Sequence, residues 1–129
     1  MGIEYAPNKF EVSVQVKADY EKKYGVEPLL NLVDLYQEDV TEMESLDPAT
    51  HAFSYNPTWK DDKLMTPLGK VINRSTLRVL VWCKNPAQTR ACSVKNATLV
   101  KQIQCTNVGG EKHTFYFYHI GQTAAAVTV

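Results

Sequence analysis

No apolar run in this chain approaches the roughly 20 residues of a membrane-spanning helix, so no contact with a membrane is expected. The opening MGIEYAPNKF has no positive flank followed by an apolar stretch and does not read as a secretory signal. Myristoylation at Gly2 is disfavoured as well, because Ala6 stands where the motif wants Ser or Thr. Cysteine is scarce: Cys83, Cys92 and Cys105 form an odd set, and their spacing fits no zinc pattern. Reduced thiols packed as small hydrophobes are expected. Glycine is sparse too, and the pair Gly109-Gly110 falls at a hairpin turn and opens no helix. That removes a phosphate-cradling loop, and no GxSxG elbow occurs. His113 and His119 point to one face of one predicted strand with Phe115 and Phe117 between them, too far apart to share a metal ion. The expectation is a non-enzyme with no catalytic residue, no cofactor and no metal.

What remains is an ordinary globular composition over 129 residues, 44% hydrophobic and 22% charged. That length suits one domain, 1–129, with a core that needs no staple. Between Thr76 and Ile120, β-branched and aromatic runs alternate with turn letters. TLRVLVWCK is followed by Asn85-Pro86, the short run Arg90–Lys95 by TLVKQIQC, and Asn107–Gly110 by HTFYFYHI. This spacing predicts an antiparallel meander.

FEVSVQVK (Phe10–Lys17) alternates apolar and polar residues, which predicts a half-buried strand. From Pro28, the residues Leu29, Leu32, Val33, Tyr36, Val40 and Met43 recur at steps of three and four, predicting one amphipathic helix over residues 28–44. The stretch Asp47–Gly69, with Pro48, Pro57 and Pro67, reads as irregular, either a functional loop or the site of an overlooked strand. Its rings His51, Phe53, Tyr55 and Trp59 suit a small ligand if a pocket adjoins them. The uncharged GQTAAAVTV at the end reads as a last strand or a docking arm.

Charge is zero overall but unevenly placed. From Tyr24 to Trp59 there is no Lys or Arg against seven acids, whereas from Lys60 onward ten basic residues face three acids. Opposite-charge segments suit contact between copies, in which one segment meets the other. The basic strands with Trp82, Tyr116 and Tyr118 offer a second reading, stacking on single-stranded nucleic acid. Neutrality overall speaks against that one.

The segment NATLVKQIQCTNVGGEKHTFYFYHIG, residues 96–121, has an aliphatic-basic strand, a Thr-Asn and Gly turn and an aromatic return strand. It resembles the β-sandwich modules of phage and viral particle proteins of tail, baseplate or decoration type. The resemblance implies a structural subunit with repeated contacts to neighbours, located in a virion or in the cytoplasm. Residues 1–75 show no such likeness.

The expected fold is therefore mostly β, an antiparallel sandwich with one helix on its side, α+β being the nearest variant. Its core would contain Val12, Val14, Leu32, Tyr36, Val79, Val81, Leu99, Ile103, Phe115 and Phe117. The expected function is assembly, as a homo-oligomer or on other particle proteins, with nucleic acid as the alternative partner. The candidate surface is Glu38, Asp39, Glu42 and Glu44 with Lys95, Lys101, Lys112 and Trp59.

Overall fold

The structure, a computed structural model, describes residues 1–25, 34–59 and 62–121. The fold is α+β, with three α-helices and two sheets among the described residues. Among the described residues strands and helices are roughly balanced, so the α+β variant is the one that forms and a mostly-β sandwich is not. Two compact units divide the chain, Met1–Met43 and Glu44–Val129.

In the first unit, strand β1 (Gly2–Glu4) runs parallel to β2 (Leu35–Gln37), with helix α1 (Pro7–Tyr24) between them in sequence. The alternating segment Phe10–Lys17 lies inside α1 and is not a strand. Local signals outweigh its period-2 pattern. Pro7 occupies the first turn, Lys22 and Lys23 sit at the negative end of the helix dipole, and Gly25 closes the helix in a left-handed conformation. The Gly25 N–H donates to the Glu21 carbonyl at 2.8 Å. On a helix, the alternation divides the apolar residues between two faces, Phe10 with Val14 and Val12 with Val16. Val12 is 62% exposed and Val16 60%, and no residue of α1 is buried.

The predicted helix over 28–44 is corrected for its second half, its first residues lying outside the described ones. Residues 34–44 form β2 and a short 3-10 turn, Val40–Glu42. Asp39 caps that turn, its carboxylate accepting from the Thr41 N–H at 2.9 Å and the Thr41 hydroxyl at 2.7 Å. A helix ending here would have set Glu38, Asp39 and Glu42 against the negative end of its dipole.

The second unit carries one mixed sheet in the order β3-β4-β6-β5. Its strands are β3 (His51–Ser54), β4 (Val79–Trp82), β5 (Ala97–Thr106) and β6 (Lys112–Ile120). β3 and β4 are parallel, joined through helix α2 (Asp62–Asn73), while β6 is antiparallel to both β4 and β5. Helix α3 (Pro86–Ala91) follows β4 and ends at the run Arg90–Lys95, where the sequence suggested a strand. Asn85 and Gln88 form a capping box at its start. The region read as irregular, Asp47–Gly69, thus holds β3 and most of α2, and Pro67 sits inside that helix. Asp47 ties the unit's start to the entry of β4. Its carboxylate accepts from the Thr76 N–H at 2.6 Å and the Thr76 hydroxyl at 2.8 Å, and these bonds hold its pKa below the ordinary value.

The core lies between the sheet and α2 and α3. Leu80, Trp82 and Tyr118 of the sheet are buried together with Met65, Leu68, Val71 and Ile72 of α2, and so are Leu46, Leu77, Cys92 and Val94. Two polar groups inside it are paired. The Trp82 indole N–H donates to the Thr89 hydroxyl at 3.1 Å, and the Tyr118 O–H donates to the Lys84 carbonyl at 2.6 Å. Burial pushes the Tyr118 phenol upward, which keeps it a donor at neutral pH. Burial also raises the Cys92 thiol, leaving it unreactive.

The expected core is corrected. Val12, Val14, Tyr36, Leu99 and Ile103 are exposed, Val79, Val81, Phe115 and Phe117 are half-buried, and Leu32 lies outside the described residues.

Candidate functional site

Both faces of the central strands are apolar, but Leu80, Trp82 and Tyr118 on one are buried, whereas Val79, Val81, Phe115 and Phe117 on the other are half-buried. Register defines the other: Val81 lies beside Phe53 and Phe117, Phe117 faces Lys101, Phe115 faces Ile103, and His113 faces Cys105. Phe53 is 68% exposed and stacks on Phe115 at 5.5 Å between ring centroids. Tyr55 continues the platform, 6.0 Å from the Phe115 ring and edge-on to His113 at 5.4 Å. Exposed aromatic rings gathered on one sheet face mark a contact surface more than isolated exposed hydrophobes do.

The second element is the sheet edge. β5 is an end strand of the sheet, and among the described residues no strand pairs with its outer side. Every residue from Thr98 to Thr106 is exposed, Val100 by 51%. Natural edges are protected by short length, proline, charged side chains or β-bulges. β5 runs for ten residues with no proline and one charge, Lys101. Its single irregularity is a shift in register between Leu99 and Lys101.

At the tip of the β5–β6 hairpin, side chains fasten the turn to β3. The Asn107 carboxamide oxygen accepts from the Glu111 N–H at 2.9 Å, and its amide nitrogen lies 3.5 Å from both the Tyr55 hydroxyl and His113 Nε2. The Glu111 carboxylate is 3.3 Å from the same Nε2. The exposed Cys105 thiol lies across the strand pair from His113. Among the described residues no three of His, Cys, Asp and Glu are grouped to hold a metal ion.

The residues of the surface expected from sequence are divided between the two units. Glu38, Asp39 and Glu42 belong to the first unit and Glu44 opens the second. The Glu44 carbonyl accepts from Arg74 Nε at 2.7 Å. Lys95 follows α3, and its N–H donates to Asn73 Oδ1 at 2.9 Å. Trp59 is half-buried, its N–H donating to the Asn56 carbonyl at 3.3 Å. Lys101 and Lys112 share the hairpin but alternate to opposite faces, so Lys101 is the one lysine or arginine that the strands place on the aromatic face. Sequence reasoning grouped Phe53 with the rings of an irregular loop and counted Ile103 as core, whereas Phe53 lies in β3 and both are exposed. The one available signal was the near absence of charge along β5.

No protein-family model matches this chain, and no curated protein matches it either. Among the described residues no helix is long and apolar enough to cross a membrane.

Proposed function

We propose that this is a non-enzymatic assembly protein, a component that associates through strand addition at β5, flanked by the aromatic face of the same sheet. The observation that carries the reading is the ten-residue edge, exposed from Thr98 to Thr106, with a single charge and no partner strand among the described residues. Backbone N–H and C=O groups along such an edge supply affinity to an added strand, and the alternate side chains supply specificity. A virion or tail subunit with repeated neighbour contacts is the setting this suits. The nucleic-acid reading draws on the Phe53 and Phe115 platform, but phosphate neutralisation needs several cations beside the rings. The strands offer that face Lys101 and no other lysine or arginine.

Amide exchange read by mass spectrometry tests the proposal on the full chain. As concentration rises and the protein associates, the amides of β5 should gain protection on the order of tenfold, equivalent to about 1.4 kcal/mol. β3, the opposite edge, should not respond. Association that leaves β5 exchange unchanged contradicts the reading, as does a chain that stays monomeric throughout.

A further inference from the structure

Resting on that reading, we infer that the strand added at β5 is β5 of a second copy, antiparallel to the first, with the two-fold axis passing between the two Ile103 residues. Three features of the strand select this occupant and this register.

The first is the geometry of faces. In an antiparallel pair, residues directly opposite each other project to the same side. A two-fold axis perpendicular to the sheet must therefore pass through a residue opposed to its own copy. The regular part of β5 after its irregularity is Lys101–Thr106. Centring on Ile103 or on Gln104 pairs five residues of that stretch with themselves, and only the first sets an aliphatic residue opposite its own copy, with Lys101 opposite Cys105 and Gln102 opposite Gln104.

The second is charge. β5 has one charged residue, so any symmetric pairing brings two copies of Lys101 together. Centred on Lys101 itself, the two ammonium-bearing residues would stand about 5 Å apart, a like-charge pair directly opposed. Centred on Ile103, they are four strand steps apart, about 14 Å. That exceeds the Debye length of about 8 Å at physiological ionic strength. Each lysine then faces Cys105 and not another lysine.

The third is chemistry across the pair. Ile103 on Ile103 joins two exposed aliphatic residues on the aromatic side of the sheet. On the other side, Gln102 and Gln104 each carry a donor and an acceptor amide and suit each other in either orientation. The two sheets become one of eight strands, with the Phe53 and Phe115 platforms on the same side of both halves.

Disulfide trapping of the full-length protein tests the register. Diamide takes up the two hydrogens released when two thiols join, becoming the hydrazine. Ile103→Cys places two introduced thiols directly opposite each other, within the Cα separation of about 4.4–6.8 Å that a disulfide requires. It should give a covalent dimer on a non-reducing gel. Lys101→Cys should give a dimer joined twice, through the native Cys105 of each copy. In the native chain the two Cys105 residues are about 14 Å apart in this register, and diamide should leave it monomeric on the gel. A dimer linked through Cys105 in the native chain, or no dimer from either variant, overturns the inference. If β5 still gains amide protection in that case, strand addition stands and the occupant is another register or another protein. If β5 gains none, the proposed function fails with it.

Discussion

Replacing Gly69 by alanine is expected to lower the stability of the second unit by about 3 kcal/mol. The sign runs against the usual behaviour of a helical glycine, because Gly→Ala inside a helix ordinarily stabilises by up to about 1 kcal/mol. Gly69 lies within α2 and is buried, and its missing side chain is what lets α2 approach the end of α3. A Cβ at this position would lie 1.9 Å from the Cys92 carbonyl oxygen and 3.0 Å from its carbon. The obstacle is backbone, so no rotamer change relieves it. The segment cannot shift freely either, since the Asn73 side chain donates to the Ser93 carbonyl at 2.7 Å and accepts from the Lys95 N–H at 2.9 Å. Urea unfolding followed by tryptophan fluorescence reports on this unit, because Trp59 and Trp82 both belong to it. An unchanged or raised midpoint for Gly69→Ala would show that the two helices do not meet as described.

Trp82→Ala should cost about 3–5 kcal/mol. Trp82 is 0% exposed, and its ring fills the space between the sheet and the helices. Truncation leaves a cavity of indole size and removes the donor that pairs with the Thr89 hydroxyl. For a unit of this size, a loss of that order lowers the melting temperature by more than about 10 °C. Trp82→Phe separates the two contributions. It keeps a ring in the space and loses the hydrogen bond, so it should cost less than half as much. Equal losses for the two variants would assign the stability to the hydrogen bond and not to the packing.

The strands of the hairpin and β4 are legible in the sequence because turn letters bound them on both sides, Asn85-Pro86 after β4 and Asn107–Gly110 between β5 and β6. α1 is not, because FEVSVQVK carries a strand period whereas its helix is specified by the ends, Pro7 and Gly25. α2 is hidden by Pro67, a residue that argues against a helix interior wherever it appears. β3 has four residues, too few for alternation to stand out beside three nearby prolines.

The core and the candidate surface were exchanged for a simple reason. On β6 the phenylalanines Phe115 and Phe117 occupy one face and the tyrosines Tyr116 and Tyr118 the other. Hydropathy alone assigns phenylalanine to the interior. The chain buries Tyr118 instead, because the Lys84 carbonyl satisfies its hydroxyl. The phenylalanines are then left on the side that α2 and α3 do not cover. Alternation shows that a strand has two faces, and only the placement of the helices decides which one is covered. The lysine of the edge, Lys101, was legible as a surface residue, whereas Ile103 was not, since an exposed isoleucine in a strand looks the same in sequence as a buried one.

The most direct test of association at β5 is light scattering of the full-length protein across a concentration series, beside an Ile103→Glu variant. A glutamate at this exposed edge position leaves the β5–β6 pairing intact and puts charge where the added strand would lie. The account predicts a discrete oligomer for the native chain and a monomer for the variant, with unchanged circular dichroism. A native chain that remains monomeric at every concentration, or a variant that associates as strongly as the native one, would contradict it.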